Sequence, residues 1–386
     1  MTKRPSPTGE YAVGTFTYTV YTDREEALEP GVKRKVPARV YYPVLKESVK
    51  DLPKAKYMTE NMAMGLKKSM HVPVNFKKAD AAGENISECY ENAPKIEGQK
   101  FPLIMFNHGL LSFREGNSFL CIELASQGYV VISVGHPYDA VCTEFDDGSH
   151  VFAMKGIGNK QYEPMLGGMY NAYKLIKYKG DNRELAEKFE ELQQKYCVFI
   201  RSRIPEWEKD TMDAIKYAKE NLSDMTDFSK GIAACGHSLG GAASYALCFD
   251  EPEIVCGINI DGAPFGDNHG RIQEKPFLQI SCKGNLKAET RVFIDHKAPV
   301  YSAVFRDMAH VGFSDMKHQI KMKALTGKLD ADLMHENLCK CFVEFFDTYL
   351  KGIKDKPDLQ TNDVMTITEY SPDEEIHTVL DALTIE

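Results

Sequence analysis

A short apolar run that breaks on a serine sets the strongest limit on the fold of this chain. Residues 231–247 read Gly-Ile-Ala-Ala-Cys-Gly-His-Ser-Leu-Gly-Gly-Ala-Ala-Ser-Tyr-Ala-Leu. The apolar stretch to Cys235 suits a buried strand, Gly236-x-Ser238-x-Gly240 a sharp turn, and Ala242 to Leu247 a helix. A serine at such a turn is held in a strained conformation, its hydroxyl exposed at the top of a sheet. Glycines are expected on either side because so tight a turn leaves no room for a Cβ. The helix start brings backbone N–H groups beside the serine, where an oxyanion can be held. The pentapeptide alone is a weak signal. The strand before it and the helix after it are what single out Ser238 against a glycine-rich turn without chemistry.

Composition narrows the class. The chain has 386 residues, 43% of them hydrophobic, enough for a sizeable α/β core. Its 47 basic and 56 acidic side chains leave a formal net charge of −9. That argues against nucleic acid as a partner and gives no attraction to anionic membranes. Of ten cysteines, Cys121, Cys235, Cys248, Cys256, Cys282 and Cys341 lie in apolar runs. The pattern predicts reduced core residues in a cytoplasmic protein, not a disulfide framework. Cys339 and Cys341 are two apart on a predicted helix and face different ways. No His/Cys/Asp cluster has ligand spacing, so no metal or organic cofactor is expected. No apolar stretch follows the opening Met-Thr-Lys-Arg-Pro-Ser-Pro, and no run approaches a membrane span. Neither a signal peptide nor membrane insertion is expected. The sequence leaves the oligomeric state open.

The order of elements is regular. Alternation predicts strands over Tyr11 to Tyr21 and Val36 to Val44, and the prolines of the second suit a sheet edge. Residues 46–99 read as irregular surface with a short helix near Met58 to Leu66. Strands follow at Phe101 to Asn107, Tyr129 to Val134, Gly231 to Cys235, Val255 to Ile260, Phe277 to Ser281 and Val300 to Phe305. Helices are predicted over Ser118 to Gln127 and His335 to Lys351. Apolar strands alternating with helices mean a mostly parallel sheet covered on both faces, in one domain over 1–386. Functional residues then belong at the carboxyl ends of the strands. A helical, cap-like insert is predicted over about 142–200. One stripe in it is Leu185, Phe189, Leu192, Tyr196 and Phe199; the other is Met165, Leu166, Met169, Tyr170 and Tyr173. Such stripes either pack the insert on the body or face a ligand, and Met165, Met169 and Tyr170 are the candidates for a substrate pocket. A polar tail runs over about 353–386, with an apolar patch at 379–383.

A serine hydroxyl needs a base within hydrogen-bond reach, and the base needs a third group to orient it. This architecture expects the order Ser, acid, His. After Ser238 the histidines are His269, His296, His310, His318, His335 and His377. His310 directly follows the last predicted strand, on the correct edge, and is the candidate base. For the acid, the strand at 277–281 runs into Cys282-Lys-Gly-Asn285, with no carboxylate before Glu289. The strand before it ends on Asp261-Gly262. Asp261 is therefore preferred to Glu289, with Asp267 and Asp307 behind; the plain alternative is a turn aspartate. Oxyanion donors are expected from the N–H of Leu239 and from the turn His108-Gly-Leu-Leu111, where Leu110 is the candidate.

Asn107-His-Gly-Leu-Leu-Ser-Phe-Arg114, Leu124-Ala-Ser-Gln-Gly-Tyr-Val-Val131, Gly236-His-Ser-Leu-Gly-Gly241, Ile260-Asp-Gly262 and His310 together resemble the platelet-activating-factor acetylhydrolase family, plasma-type branch, of α/β hydrolases. The resemblance covers roughly residues 101–315. It implies an α/β-hydrolase fold, an acid one strand early (matching Asp261), and oxyanion donors at Leu110 and Leu239. It also implies calcium-independent hydrolysis of short or oxidised acyl esters, including lipid esters, by a serine esterase. The insert and the Lys-rich stretch at 46–99 depart from the family pattern and bear on the substrate. Two other readings stand beside it: a carboxylesterase, polyesterase or acyltransferase using the same triad, and a fold kept only for ligand capture.

Overall fold

The computed structural model describes residues 4–71 and 75–371. His377 and the apolar patch at 379–383 lie outside the described residues. Strands β1 (Ala12–Glu25) and β2 (Lys33–Val44) pair antiparallel, from Ala12↔Val44 to Glu25↔Lys33. The stretch expected to be irregular then holds β3 (Lys54–Lys56), α1 (Glu60–Met70), α2 (Phe76–Ala81) and β4 (Ile86–Glu91). The Thr59 side chain caps α1 by accepting the Met62 N–H. Met62, Ala63 and Leu66 on α1 then pack with Tyr57, Phe113, Phe119 and Val141. Strand β4 escapes a reading by apolar alternation because its inward residues are Ser87 and Cys89.

Next come β5 (Phe101–Asn107), α3 (Ser118–Ser126), β6 (Val130–Val134) and an antiparallel pair, β7 (Cys142–Glu144) with β8 (His150–Phe152). Helices α4 (Met165–Ile176), α5 (Asn182–Tyr196) and α6 (Val198–Asn221) follow. Then come β9 (Thr226–His237), α7 (Leu239–Asp250), β10 (Ile254–Ile260), β11 (Phe277–Cys282) and β12 (Val300–Phe305). The described chain closes with α8 (Met316–Gln319), α9 (Lys323–Thr326), α10 (Ala331–Tyr349) and β13 (Met365–Tyr370).

These elements form two compact units. The first comprises the described residues of Met1–Lys155, with Lys209–Ile232 and Ser314–Lys321. The second comprises Gly156–Glu208, Ala233–Phe313 and the described residues from Met322 onward. In the first, the strand order from β9 is β9-β5-β6-β2-β1-β4-β3. β5 and β6 run parallel, and β2 is antiparallel to both its neighbours. β2 is thus not an edge strand, contrary to what its prolines suggest. They are tolerated because β6 pairs only with Ala38 to Tyr41, so Pro37 and Pro43 flank that ladder.

In the second unit the order from β9 is β9-β10-β11-β12-β13. β10, β11 and β12 are parallel, each buried almost throughout, and β13 adds an antiparallel strand beside β12. The parallel strands all end on one edge, so their following loops gather there. Within the insert, α5 is capped by Asp181 and buries Leu185, Phe189 and Leu192. It is fastened to the segment after β11 by a bidentate Arg183–Asp295 pair at 2.8 and 3.0 Å.

Candidate active site

Strand β9 ends at His237 and α7 begins at Leu239, so Ser238 alone makes the turn. Its backbone has φ 58° and ψ −120°, a region non-glycine residues rarely enter and one that costs about 1–3 kcal/mol. The surroundings hold it there. Its N–H donates to the Ile260 carbonyl at 2.7 Å, and its carbonyl accepts from Ala242 at 3.0 Å. Two glycines make this approach possible. A Cβ on Gly262 would stand 2.1 Å from the Ser238 carbonyl oxygen, and one on Gly241 would stand 1.8 Å from Asn259 Oδ1. Asn259 in turn clamps Gly262, accepting its N–H at 3.0 Å and donating to its carbonyl at 2.7 Å.

The hydroxyl so presented meets a chain of hydrogen bonds. Ser238 Oγ is 2.8 Å from His310 Nε2, and His310 Nδ1 is 2.7 Å from Asp261 Oδ2. His310 opens a 3-10 turn (His310–Phe313) five residues beyond β12, with 39% of its side chain exposed. Asp261 caps the tip of β10 at φ 56° and is buried. Its N–H still reaches the Ile280 carbonyl at 2.7 Å, so the turn stays tied to β11. The three residues therefore come from the ends of three different strands in the second unit. A buried carboxylate bonded to Nδ1 favours the imidazole tautomer whose Nε2 can take a proton from the serine.

The family model for platelet-activating factor acetylhydrolase, isoform II, matches residues 1–355. The chain belongs to this family. The platelet-activating factor acetylhydrolase of Cavia porcellus is 26% identical over 374 residues, covering 90% of this chain and 78% of that protein. That of Bos taurus is 28% identical over 374 residues, covering 92% and 78%. Among solved structures, a ferulic acid esterase from Streptomyces cinnamoneus is similar at a TM-score of 0.70 and 17% identity, covering 92% of this chain and 96% of that one. That likeness establishes the α/β-hydrolase fold.

Around the three residues stand groups that sequence reasoning passed over. Cys282 donates its N–H to Asp261 Oδ1 at 2.6 Å and its thiol to Oδ2 at 3.3 Å. Asn285 donates from Nδ2 to the same Oδ2 at 2.7 Å. Cys282 ends β11 and Asn285 lies in the loop after it, a segment with no carboxylate before Glu289; the signal is its position, not its residue types. His237 is buried, and burial together with the charge of His310 pushes its imidazole down to about 3.

Glu289, the other candidate acid, is buried beside Ser281 Oγ, and no described hydrogen bond joins it to His310. Burial, reinforced by the charge of Asp261, pushes its carboxyl well above the usual range. Asp267 and Asp307 are exposed. His269 points toward Glu190 at 3.9 Å, and the His296 ring nitrogen meets the Ala298 carbonyl.

The Leu239 N–H begins α7 and donates no described hydrogen bond. In the first unit the Leu110 N–H likewise donates no described hydrogen bond, while its neighbour Leu111, at φ 58°, donates to the Asp139 carbonyl at 2.9 Å. Met165, Met169 and Tyr170 lie on α4, exposed by 45%, 53% and 60%. No described hydrogen bond or ring contact joins them to Ser238 or His310. Among the described residues no group of His, Cys, Asp or Glu has the arrangement of a metal site, and no helix is long and apolar enough to cross a membrane.

Proposed function

We propose that this chain, a hydrolase of ester bonds by its family, removes short acyl groups from carboxylic esters through an acyl-enzyme on Ser238. The observation that carries the reading is the hydrogen-bonded run Ser238–His310–Asp261, at 2.8 and 2.7 Å, on a strained turn at a helix start. Ser238 Oγ attacks the ester carbonyl while His310 Nε2 takes its proton. Asp261 keeps the imidazole oriented and offsets its positive charge. The tetrahedral oxyanion is held by the N–H of Leu239, which donates no described hydrogen bond. His310 returns the proton to the leaving alcohol. Water, deprotonated by the same imidazole, then releases the acid and frees Ser238. No step calls for a metal ion or an organic cofactor.

The preference for short acyl groups, acetyl foremost, rests on what the relatives are named for. Met165, Met169 and Tyr170 give it no independent support, since about half of each side chain is open to solvent. We place the enzyme in the cytoplasm because all ten cysteines are buried and none is in a disulfide, which suits a reducing compartment.

A fluorophosphonate probe tests the nucleophile: it should modify Ser238, and Ser238→Ala should lose both the label and turnover. A ladder of p-nitrophenyl esters tests the acyl preference. The ratio kcat/KM should peak at acetyl to butyryl, and a rate still climbing at long chains would replace this reading with a lipase.

A further inference from the structure

We propose that Asn285 is a positioning residue of the triad and that it occupies a second seat from which an acid can serve His310. The proposal rests on the triad reading above. Asn285 Nδ2 lies 2.7 Å from Asp261 Oδ2 and 3.3 Å from His310 Nδ1, so one amide touches both members of the acid–base pair. Its orientation follows from chemistry. A flipped amide would put Oδ1 against the Asp261 carboxylate, oxygen on oxygen, so the NH2 group faces the acid.

Asn285 has a simpler occupation available and does not take it. It stands at the N-cap of the 3-10 turn Leu286–Phe293, where an asparagine side chain ordinarily accepts a backbone N–H. Here the side chain makes no cap hydrogen bond. Its carbonyl accepts the Ala288 N–H and its own N–H reaches the Cys282 carbonyl, so the backbone is pinned while the side chain is spent on the triad.

The effect on Asp261 is direct. Oδ2 receives His310 Nδ1, Asn285 Nδ2 and the Cys282 thiol, and Oδ1 receives the Cys282 N–H. Four donors fix the plane of the carboxylate and aim one lone pair at Nδ1. Two of these three residues stand at the carboxyl end of β11 or in the loop after it. β10 and β11 are neighbouring parallel strands with Ile260 opposite Ile280, so their tips face the same imidazole nitrogen. Asp261 holds the seat on β10. Asn285 holds the seat on the β11 loop, with an isosteric amide in place of a carboxylate. Exchanging the two side chains keeps one donor and one acceptor between the seats and reverses only which of them is charged.

The test compares Asn285→Ala, Asp261→Asn and the exchange Asp261→Asn/Asn285→Asp in the full chain, using p-nitrophenyl acetate and a fluorophosphonate. Asn285→Ala should lower kcat by about tenfold or more with KM within about twofold, because the lost contact orients the base and does not hold substrate. Asp261→Asn should lose about 10⁴-fold. The exchange should regain at least about tenfold over Asp261→Asn in both kcat and the rate of Ser238 labelling. A merely structural asparagine cannot produce that gain. Recovery below that level overturns the second seat, and because both changes are isosteric, circular dichroism should report a folded chain in either case. Wild-type kcat in Asn285→Ala overturns the positioning role. Failure of the triad reading looks different: Asp261→Asn would keep wild-type turnover, or Ser238→Ala would still take the label.

Discussion

The His237 ring lies 4.8 Å from the His310 ring, tilted by 31°, and its Nε2 donates to the His310 main-chain carbonyl at 3.0 Å. The residue before the proposed nucleophile thus holds the backbone of the proposed base. That bond requires a proton on Nε2, and because burial disfavours the charged ring, the donor is the neutral imidazole carrying its one proton there.

This arrangement carries a pH signature. His237 and His108 are both buried, and burial pushes each from an ordinary 6.5 down to about 3. The unfolded chain takes up protons near 6.5 that the folded chain refuses until about 3. The stability these two sites contribute is therefore complete above 6.5 and is lost as pH falls toward 3. Each site steepens that loss by at most about 1.4 kcal/mol per pH unit. His237→Gln keeps a donor for the carbonyl and removes one titration. Urea midpoints measured from pH 7 down to pH 4 should fall less steeply for this variant than for the wild type. Parallel curves would mean that His237 titrates normally.

Asp315 should act in the opposite sense. Burial pushes its carboxyl from 3.8 up to about 8, despite donation from Ser118 Oγ and the Phe119 N–H. A raised carboxyl gives stability that is present below 3.8 and lost as pH rises through about 8. Asp315→Asn keeps an acceptor and has no proton to lose. Its thermal midpoint relative to the wild type should improve between pH 5 and pH 9, and a constant difference would refute the shift.

The two candidate acids should separate cleanly. Asp261→Asn should cut turnover by about 10⁴-fold, as loss of an orienting carboxylate can. Glu289 is buried, its carboxyl is pushed above the usual range, and no described hydrogen bond joins it to His310, so Glu289→Gln should leave kcat within about twofold. Steady-state kinetics with p-nitrophenyl acetate decide it; the reverse ranking would move the acid to Glu289.

The heaviest stability effect is expected far from the triad residues in sequence. Asp210 and Glu26 flank Arg34, all three buried, and Asp210 also meets Arg24 and His136 Nδ1. Burial alone would raise the Asp210 carboxyl, yet Arg34 and the His136 hydrogen bond hold it well below the usual range. Asp210→Ala leaves Arg34 short of a counter-charge and should cost about 3–5 kcal/mol in urea unfolding. Replacing Arg34, Asp210 and Glu26 together by Met, Leu and Gln removes the buried charges of the cluster and should recover much of that loss. A triple variant no better than Asp210→Ala would show that shape, not charge, is what the site needs.

What could be read in the sequence followed from local rules. The serine turn, Phe101–Asn107 and Val300–Phe305 are legible because buried parallel strands are continuous apolar runs and a strand–Ser–helix turn has few alternatives. β13 was hidden in a stretch that reads as polar tail, since Met365-Thr-Ile-Thr-Glu-Tyr370 owes its strand to pairing with β12. β4 was hidden by inward Ser87 and Cys89. The site shows the same division. Ser238, Asp261 and His310 are marked by their places at strand ends. Cys282 at the end of β11 and Asn285 in the loop after it are unremarked until the turn between them brings both to one carboxylate. Which side of α4 meets solvent is likewise fixed by tertiary packing, and its Met/Tyr stripe reads the same whichever way it faces.

All ten sulfhydryls are sealed in the interior, and none is bridged. An alkylating reagent therefore finds almost nothing to modify while the chain is closed and up to ten targets once it opens. Mass per molecule becomes a built-in gauge of opening, read without any attached dye. The same fact sets a rule for handling. Every transient opening in an oxidising buffer exposes thiols that can cross-link, and a cross-linked chain cannot repack a core in which those sulfurs have to lie apart. Loss of activity on storage should then track oxidant, not time, and a reductant should preserve what cold alone does not.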